Sequence, residues 1–138
     1  MHDFIARKFS RNLTVFVLAA FLSSCSSVSA LNPFARNGTV HYNDSSWCLP
    51  GRLKRVIRQV AHKYGDVTVH STYRTWWQNM KIGGARRSMH RKCRAIDFSV
   101  NGNMEAAYHF VARHPSVGGH KLYKSGHIHI DAGAKRTW

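Results

Sequence analysis

The chain has 138 residues, 21 of them Lys or Arg and 6 Asp or Glu, for a formal net charge of +15. That length supplies one domain of ordinary size and excludes two. So large a positive field attracts anionic partners, whether nucleic acid, phospholipid headgroups or acidic envelope polymers, and does not choose among them.

The N-terminus narrows the choice. "MHDFIARKFSRN" carries Arg7, Lys8 and Arg11, and the apolar run "LTVFVLAAFL" follows. That run is too short to span a bilayer as a mature helix but suits the core of a signal peptide. A buried N-terminal helix is the bland alternative, and the charged flank and small-residue exit argue against it. Two processing sites are present. "LSSC", Leu22 to Cys25, resembles the bacterial lipobox, in which the Cys is lipidated and becomes the first mature residue. "VSA", Val28 to Ala30, suits ordinary signal peptidase. The lipobox is the favoured reading. The expected organisation is a signal peptide over 1–24, a tether over 25–46 and a domain over 47–138. The mature chain then belongs to the bacterial envelope, periplasmic and lipid-anchored through Cys25.

Export changes the reading of the cysteines. Cys25 belongs to the lipobox. Cys48 and Cys93 remain as an even pair in an oxidising compartment, where a disulfide is the default. It closes a loop of about 45 residues, worth about 4 kcal/mol in the loop-entropy model. A small domain benefits from such a cross-link.

Residues 31–46, "LNPFARNGTVHYNDSS", lack a helical period and carry Pro, Gly, Asn and Ser. They read as tether with one short strand. In "CLPGRLKRVIRQVAHKYG", Leu53, Val56, Ile57, Val60, Ala61 and Tyr64 fall on one helical face. Pro50 suits the first turn and Gly65 the stop. Arg52, Lys54, Arg55, Arg58 and Lys63 form the opposite, solvated face. "DVTVHST" alternates and predicts a strand over 67–72. "YRTWWQNMKIGGARRS" is a polar and aromatic excursion with a Gly-Gly turn. "AIDFSV" reads as a second strand, closed by "NGN". "NMEAAYHFVARH" is a second amphipathic helix with Asn103 as its N-cap. "SVGGHKLYKSG" is turn-rich, and "HIHID" alternates as a last strand. This order predicts an α+β domain with a small, mostly antiparallel sheet and two main helices.

Chemistry concentrates in two stretches. On a strand, His127, His129 and Asp131 share one face while Ile128 and Ile130 point into the core. Three polar groups on one face are costly if buried without partners, so they are expected to face a site. An exposed edge strand with solvated histidines is the competing reading. Asp97 lies inside "AIDFSV", and an Asp in a strand interior needs a cation or donors close by. His90 sits on the loop leading into that strand and can fold back beside Asp97. Two imidazoles and a carboxylate are a ligand type for catalytic zinc, leaving a fourth position for water. The bland readings are a surface histidine at 90 and, for Asp97, pairing with Arg86, Arg87 or Arg91. Cys93, three residues after His90, is a rival ligand, but it would leave Cys48 unpaired in an oxidising compartment.

These residues carry a resemblance. "SMHRKCRAIDF" resembles the S-x-H-x-x-G/C-x-A-x-D element of the D-Ala-D-Ala metallopeptidase family, which shares a superfamily with lysostaphin-type peptidases and hedgehog domains. "STYRTWWQNMKIGGARRSMH" is similar to that family's S-x-Y-R-S…N…GGA…S-x-H segment. "VGGHKLYKSGHIHIDAGAKRTW" is similar to the GG…Y…HID-x-G…R-x-W ending of a small exported branch. The resemblance covers about residues 47–138 in the expected order. It implies one zinc on His90, Asp97 and His129, with Arg74 steadying a substrate carboxylate or an oxyanion and Ser88 and Asn79 near the substrate. Better-known members place an acidic base three positions before the last His, where this chain has Gly126. His127 becomes the candidate base, by likeness to the H-x-H of lysostaphin-like relatives, although the small exported branch often has an aromatic residue there. Asp131 is the alternative second-layer acceptor that orients His129. Trp76, Trp77 and Trp138 suit stacking against a glycan or peptide, though an aromatic core is their commoner fate.

The leading expectation is therefore a zinc D,D-peptidase acting on peptidoglycan peptides, held near anionic wall polymers or the membrane surface by its charge. The alternative is a non-catalytic peptidoglycan-binding lipoprotein of the same fold. No nucleic-acid recognition motif is present, and the signal peptide argues against such a partner.

Overall fold

The computed structural model describes residues 37–138. The expected signal peptide, the expected lipobox with Cys25 and the alternative cleavage site after Ala30 lie outside the described residues. Strand β1 is Val40–Tyr42, helix α1 Gly51–Tyr64, strand β2 Gly65–Ser71 and helix α2 Trp76–Lys81. A 3-10 turn, Met89–Lys92, leads into β3, Ala95–Gly102, then α3, Met104–Arg113. Three strands complete the domain: β4 Gly119–Leu122, β5 Ile128–Asp131 and β6 Arg136–Thr137. The architecture is α+β, as the sequence predicts. Among the described residues no helix is long and apolar enough to cross a membrane.

The apolar face of α1 is the face that packs: Leu53, Val56, Ile57 and Val60 are fully buried. They join Val67, Val69, Ile96, Phe98, Ile128 and Ile130 of the sheet and Ala107 and Val111 of α3 in one core. Helix and strand meet without a loop, because Gly65 both caps α1 and opens β2. Its φ is 114°, and a Cβ there would stand 2.4 Å from the Asn101 carbonyl oxygen. Only glycine makes that junction without strain. Asn103 caps α3 as expected, its side chain accepting from the Ala106 amide at 2.9 Å.

The sheet runs β1-β2-β3-β5-β4-β6, with β1–β2 and β4–β6 parallel and the other pairs antiparallel. Its register lines up two rows across the central strands. Val69, Phe98 and Ile128 face the helices; Ser71, Asp97, His129 and Lys121 line the opposite face. The short strand expected in the tether is β1, so the sheet takes residues from before position 47. The aromatic excursion holds α2, closed by a capping box in which the Thr75 hydroxyl accepts from the Gln78 amide and the Gln78 side chain accepts from the Thr75 amide. The turn-rich stretch after α3 contains β4, which opens at Gly119 directly after Gly118, a Gly-Gly pair that reads as a turn.

Cys48 and Cys93 form the expected disulfide, Cα to Cα 5.8 Å. It ties the entrance of α1 to the end of the 3-10 turn, where Cys93 adopts a left-handed φ of 51°.

Candidate metal centre

A bulge sets the geometry of the site. The pairing of β2 with β3 shifts between Val69 and Ser71, so two successive residues meet the polar face of β3. His70 bonds Ser99 at 2.9 Å and Ser71 stands opposite Asp97. Bulges re-aim side chains in this way. The chain then turns, and Arg74 reaches back: its Nε donates to Ser71 Oγ at 2.8 Å and its Nη2 pairs with Asp97 Oδ2.

His90 comes in on the 3-10 turn, which Ser88 caps by accepting from the His90 amide at 3.3 Å. The ring is buried, and its Nδ1 lies 2.8 Å from the Thr72 carbonyl. A carbonyl only accepts, so Nδ1 carries a hydrogen and Nε2 is the nitrogen turned to the cluster. That Nε2 is 3.2 Å from Asp97 Oδ2 and 3.2 Å from His129 Nδ1. His129 Nδ1 is in turn 2.7 Å from Asp97 Oδ1, while its Nε2 lies 3.3 Å from Asp131 Oδ2. Asp131 is wholly buried and fully partnered. Arg136 Nη2 approaches to 2.5 Å, and the amides of Gly133 and Gly119 donate at 2.7 and 3.1 Å.

Burial by itself would raise the Asp97 carboxyl. Hydrogen bonds from His129 and His90, and their positive charge, outweigh it and hold Asp97 well below the usual carboxylate range. Asp131 is likewise driven down, against its burial, by His129, the two glycine amides and Arg136. Burial lowers His129, but Asp131 and Asp97 together raise it above the ordinary histidine value.

The residues fit a metal ion. His90 Nε2, His129 Nδ1 and an Asp97 oxygen lie within 4.8 Å of one another. Each ring commits its other nitrogen to an oxygen, the arrangement that fixes the tautomer of a metal-binding histidine. Two ring nitrogens at 3.2 Å beside a carboxylate form a donor set that a cation satisfies.

This cluster opens into a cleft of about 810 Å³ that Arg74, Ser88, Tyr123, His127 and Trp138 also line. His127 stacks on Tyr123, ring centroids 4.4 Å apart, with its Nδ1 2.8 Å from Ser125 Oγ. Trp138 sets its ring against His129 at 5.3 Å. Gly126 has a φ of 81°, so an acidic side chain at that position would strain the backbone. Glu105 lies exposed on α3 beside His109.

Asn79, expected beside the substrate, is set back from the cleft. It is buried on α2 and its Nδ2 donates to the Gly84 and Ala85 carbonyls, each at 3.0 Å. It shapes a wall of the cleft. The disulfide removes Cys93 from the ligand candidates. Arg136 is the residue that sequence reasoning missed. It stood in the quoted R-x-W ending, and the buried Asp131 required more donors than His129 on β5 supplies.

A sequence model of the family described as Peptidase M15 matches residues 29–131. The chain belongs to the peptidase M15 family. This peptidase is thus a member of the D-Ala-D-Ala metallopeptidase family that its motifs resemble. The match takes in His90, Asp97, His129 and Asp131. No curated protein and no solved structure matches the chain.

Proposed function

We propose that this peptidase is a zinc-dependent D,D-peptidase, a carboxypeptidase or endopeptidase, acting on the peptide stems or cross-links of peptidoglycan. The observation that carries this reading is the convergence of His90 Nε2, His129 Nδ1 and the Asp97 carboxylate, with the other ring nitrogens committed to Thr72 and Asp131. His90, Asp97 and His129 hold one zinc ion per chain. When bound, zinc supplies Lewis-acid chemistry: it polarises a carbonyl and lowers the pKa of water.

The chain's own residues do the rest. Arg74 is fixed by Ser71 and Asp97, and its remaining N–H groups steady a substrate carboxylate or a developing oxyanion. His127 takes the proton: its Nδ1 lies 2.8 Å from Ser125 Oγ, and with that nitrogen donating to the hydroxyl, Nε2 is the acceptor. Ser88 lines the cleft and offers its hydroxyl to the substrate, and Asn79 acts one step back through the Gly84–Ala85 wall. Asp131 accepts from His129 Nε2–H and holds that ring in register.

In this reading residues 1–24 direct export, Cys25 carries the lipid and the tether leads to the domain. The mature chain works in the periplasm, and its charge keeps it near anionic envelope polymers rather than nucleic acid. A non-catalytic peptidoglycan-binding lipoprotein is the second reading, and Gly126 favours it, since no acidic base stands there. The test is incubation of the purified chain with peptidoglycan, with and without chelator, followed by mass spectrometry of the muropeptides and metal analysis. Shortened D-Ala-containing stems that vanish with chelator, and about one zinc per chain, are expected. Bound zinc with intact muropeptides would establish the binding module, and a metal-free, inactive chain would reject the centre.

A further inference from the structure

The cleft does not end at its rim. Gly83 and Gly84 also border a second hollow of about 460 Å³, lined by Trp76, Met80, Arg86 and Arg91, which no step above uses. Its apolar wall is unusual for so basic a chain. Trp76 and Met80, one turn apart on α2, wall the hollow and are 51% and 46% exposed, and Trp77 and Ile82, close by in the chain, are 63% and 61% exposed. Contiguous exposed apolar surface of this kind marks an interaction site more often than chance.

Looseness does not explain the exposure. The capping box holds the first turn of α2, and the buried Asn79 fastens the helix to the Gly84–Ala85 loop. Trp76 and Trp77 stand edge to face at 4.7 Å, which fixes their ring planes. Opposite them, Arg91 Nη1 donates to the Arg86 carbonyl at 2.5 Å, and neither guanidinium meets a carboxylate among the described residues. The groove thus presents rigid aromatic faces against unneutralised cations.

Indole faces carry negative charge density and take the weakly positive C–H faces of a sugar ring. Guanidinium groups take carboxylates. We infer that the Trp76–Arg86 groove is a second binding site, for the saccharide backbone of the polymer whose peptide enters the cleft. The inference rests on the peptidoglycan reading of that cleft. A lipid surface fits less well, because the groove is concave and shares Gly83 and Gly84 with the cleft. The cleft holds the peptide and the groove holds neighbouring sugars of the same strand that have lost their stems and so carry free lactyl carboxylates, so a partly stripped polymer binds better than a released peptide.

The experiment uses the complete, zinc-loaded chain and glycan strands stripped of their peptides by an amidase. These strands have no bond for the peptidase to cut and expose lactyl carboxylates. Titration of Trp76→Ala is expected to show binding weakened by about 3- to 10-fold. Arg86→Gln should weaken it similarly, and Arg58→Gln, a charge removed from the outer face of α1, should not. A neutral N-acetylglucosamine oligomer should depend on Trp76 and not on Arg86. Unchanged melting of each variant establishes that the fold is intact, and Trp77→Ala serves if Trp76→Ala does not fold. Glycan binding by Trp76→Ala equal to wild type would overturn the inference. So would loss of binding to phosphatidylglycerol vesicles with glycan binding intact, which would assign the groove to lipid. Failure of the peptidase reading is separate: intact peptidoglycan would stay uncut while stripped strands still bound.

Discussion

Strands β3 and β5 have two faces built on opposite principles. On one, Ile96, Phe98, Ile128 and Ile130 are wholly buried against the helices. On the other, Asp97, His129 and Asp131 are nearly as buried, yet each is held by directed bonds. The apolar face is stabilised by area removed from water, in proportion to its size and with little regard for direction. The polar face must replace every bond that water gave it, so its members depend on one another. The same alternation of side chains thus yields one face that tolerates repacking and one that does not.

The sharpest way to break this comparison is to truncate neighbours on the two faces. On the proposed zinc reading, His129→Ala should lose zinc and reduce peptidase activity to background, with the fold retained, because only three of the described protein groups would hold the ion. Ile130→Ala should do the reverse, costing about 2–5 kcal/mol in a urea titration while zinc per folded chain stays the same. If Ile130→Ala emptied the site as His129→Ala does, the two faces would not be separable.

Next in size is His127→Ala. Zinc should stay bound while turnover on a D-Ala-containing peptide falls by about 10²–10⁴-fold, the range of general acid–base catalysis. Full activity in that variant would move the base elsewhere. Asp131→Asn is smaller in activity: it removes the acceptor that orients His129, and zinc affinity in a competition assay should drop about 10–100-fold.

The smallest effect lies at the edge of the polar face. Asp44 accepts from the Thr72 amide at 2.9 Å and from its hydroxyl at 3.0 Å, and the Thr72 carbonyl in turn meets His90. Its partial burial raises the carboxyl, but the Thr72 and Ser45 bonds prevail and lower it. A folded-state value below the unfolded one gives stability that is full above about pH 4 and lost as pH falls through the folded value. Asp44→Asn should therefore be less stable than wild type at neutral pH and show a shallower loss on acidification. A parallel acid dependence in the two proteins would count against the cap.

Much of this could be read in the sequence, and the reasons differ by element. Helices α1 and α3 and strands β2, β3 and β5 announce themselves because each carries one periodic apolar face. Helix α2 has no such face; Asn79 is its one buried residue, and the helix exists through the Thr75–Gln78 capping box. That pattern was in the sequence, hidden by the aromatic residues between its two ends. Strands β4 and β6 owe their form to pairing with distant partners, which no local pattern reports. In the site, alternation placed His129 beside Asp131, and an Asp inside a strand exposed the need for donors. The inward setting of Asn79 and the reach of Arg136 to Asp131 depend on how loops close, a matter of long-range packing.

The bridge between Cys48 and Cys93 links the chemical environment to the order of assembly. It fastens the turn that carries His90 to the start of α1, and the cap residue it holds sits in a conformation that side chains seldom choose. Thiols inside a cell stay reduced, so in a reducing compartment the turn would rest on the Ser88 cap, the bond of His90 to the Thr72 carbonyl and its backbone bonds, without the cross-link. Under the proposed export, the bridge would close only once the chain had left the cell, and the turn that presents His90 would gain its cross-link there.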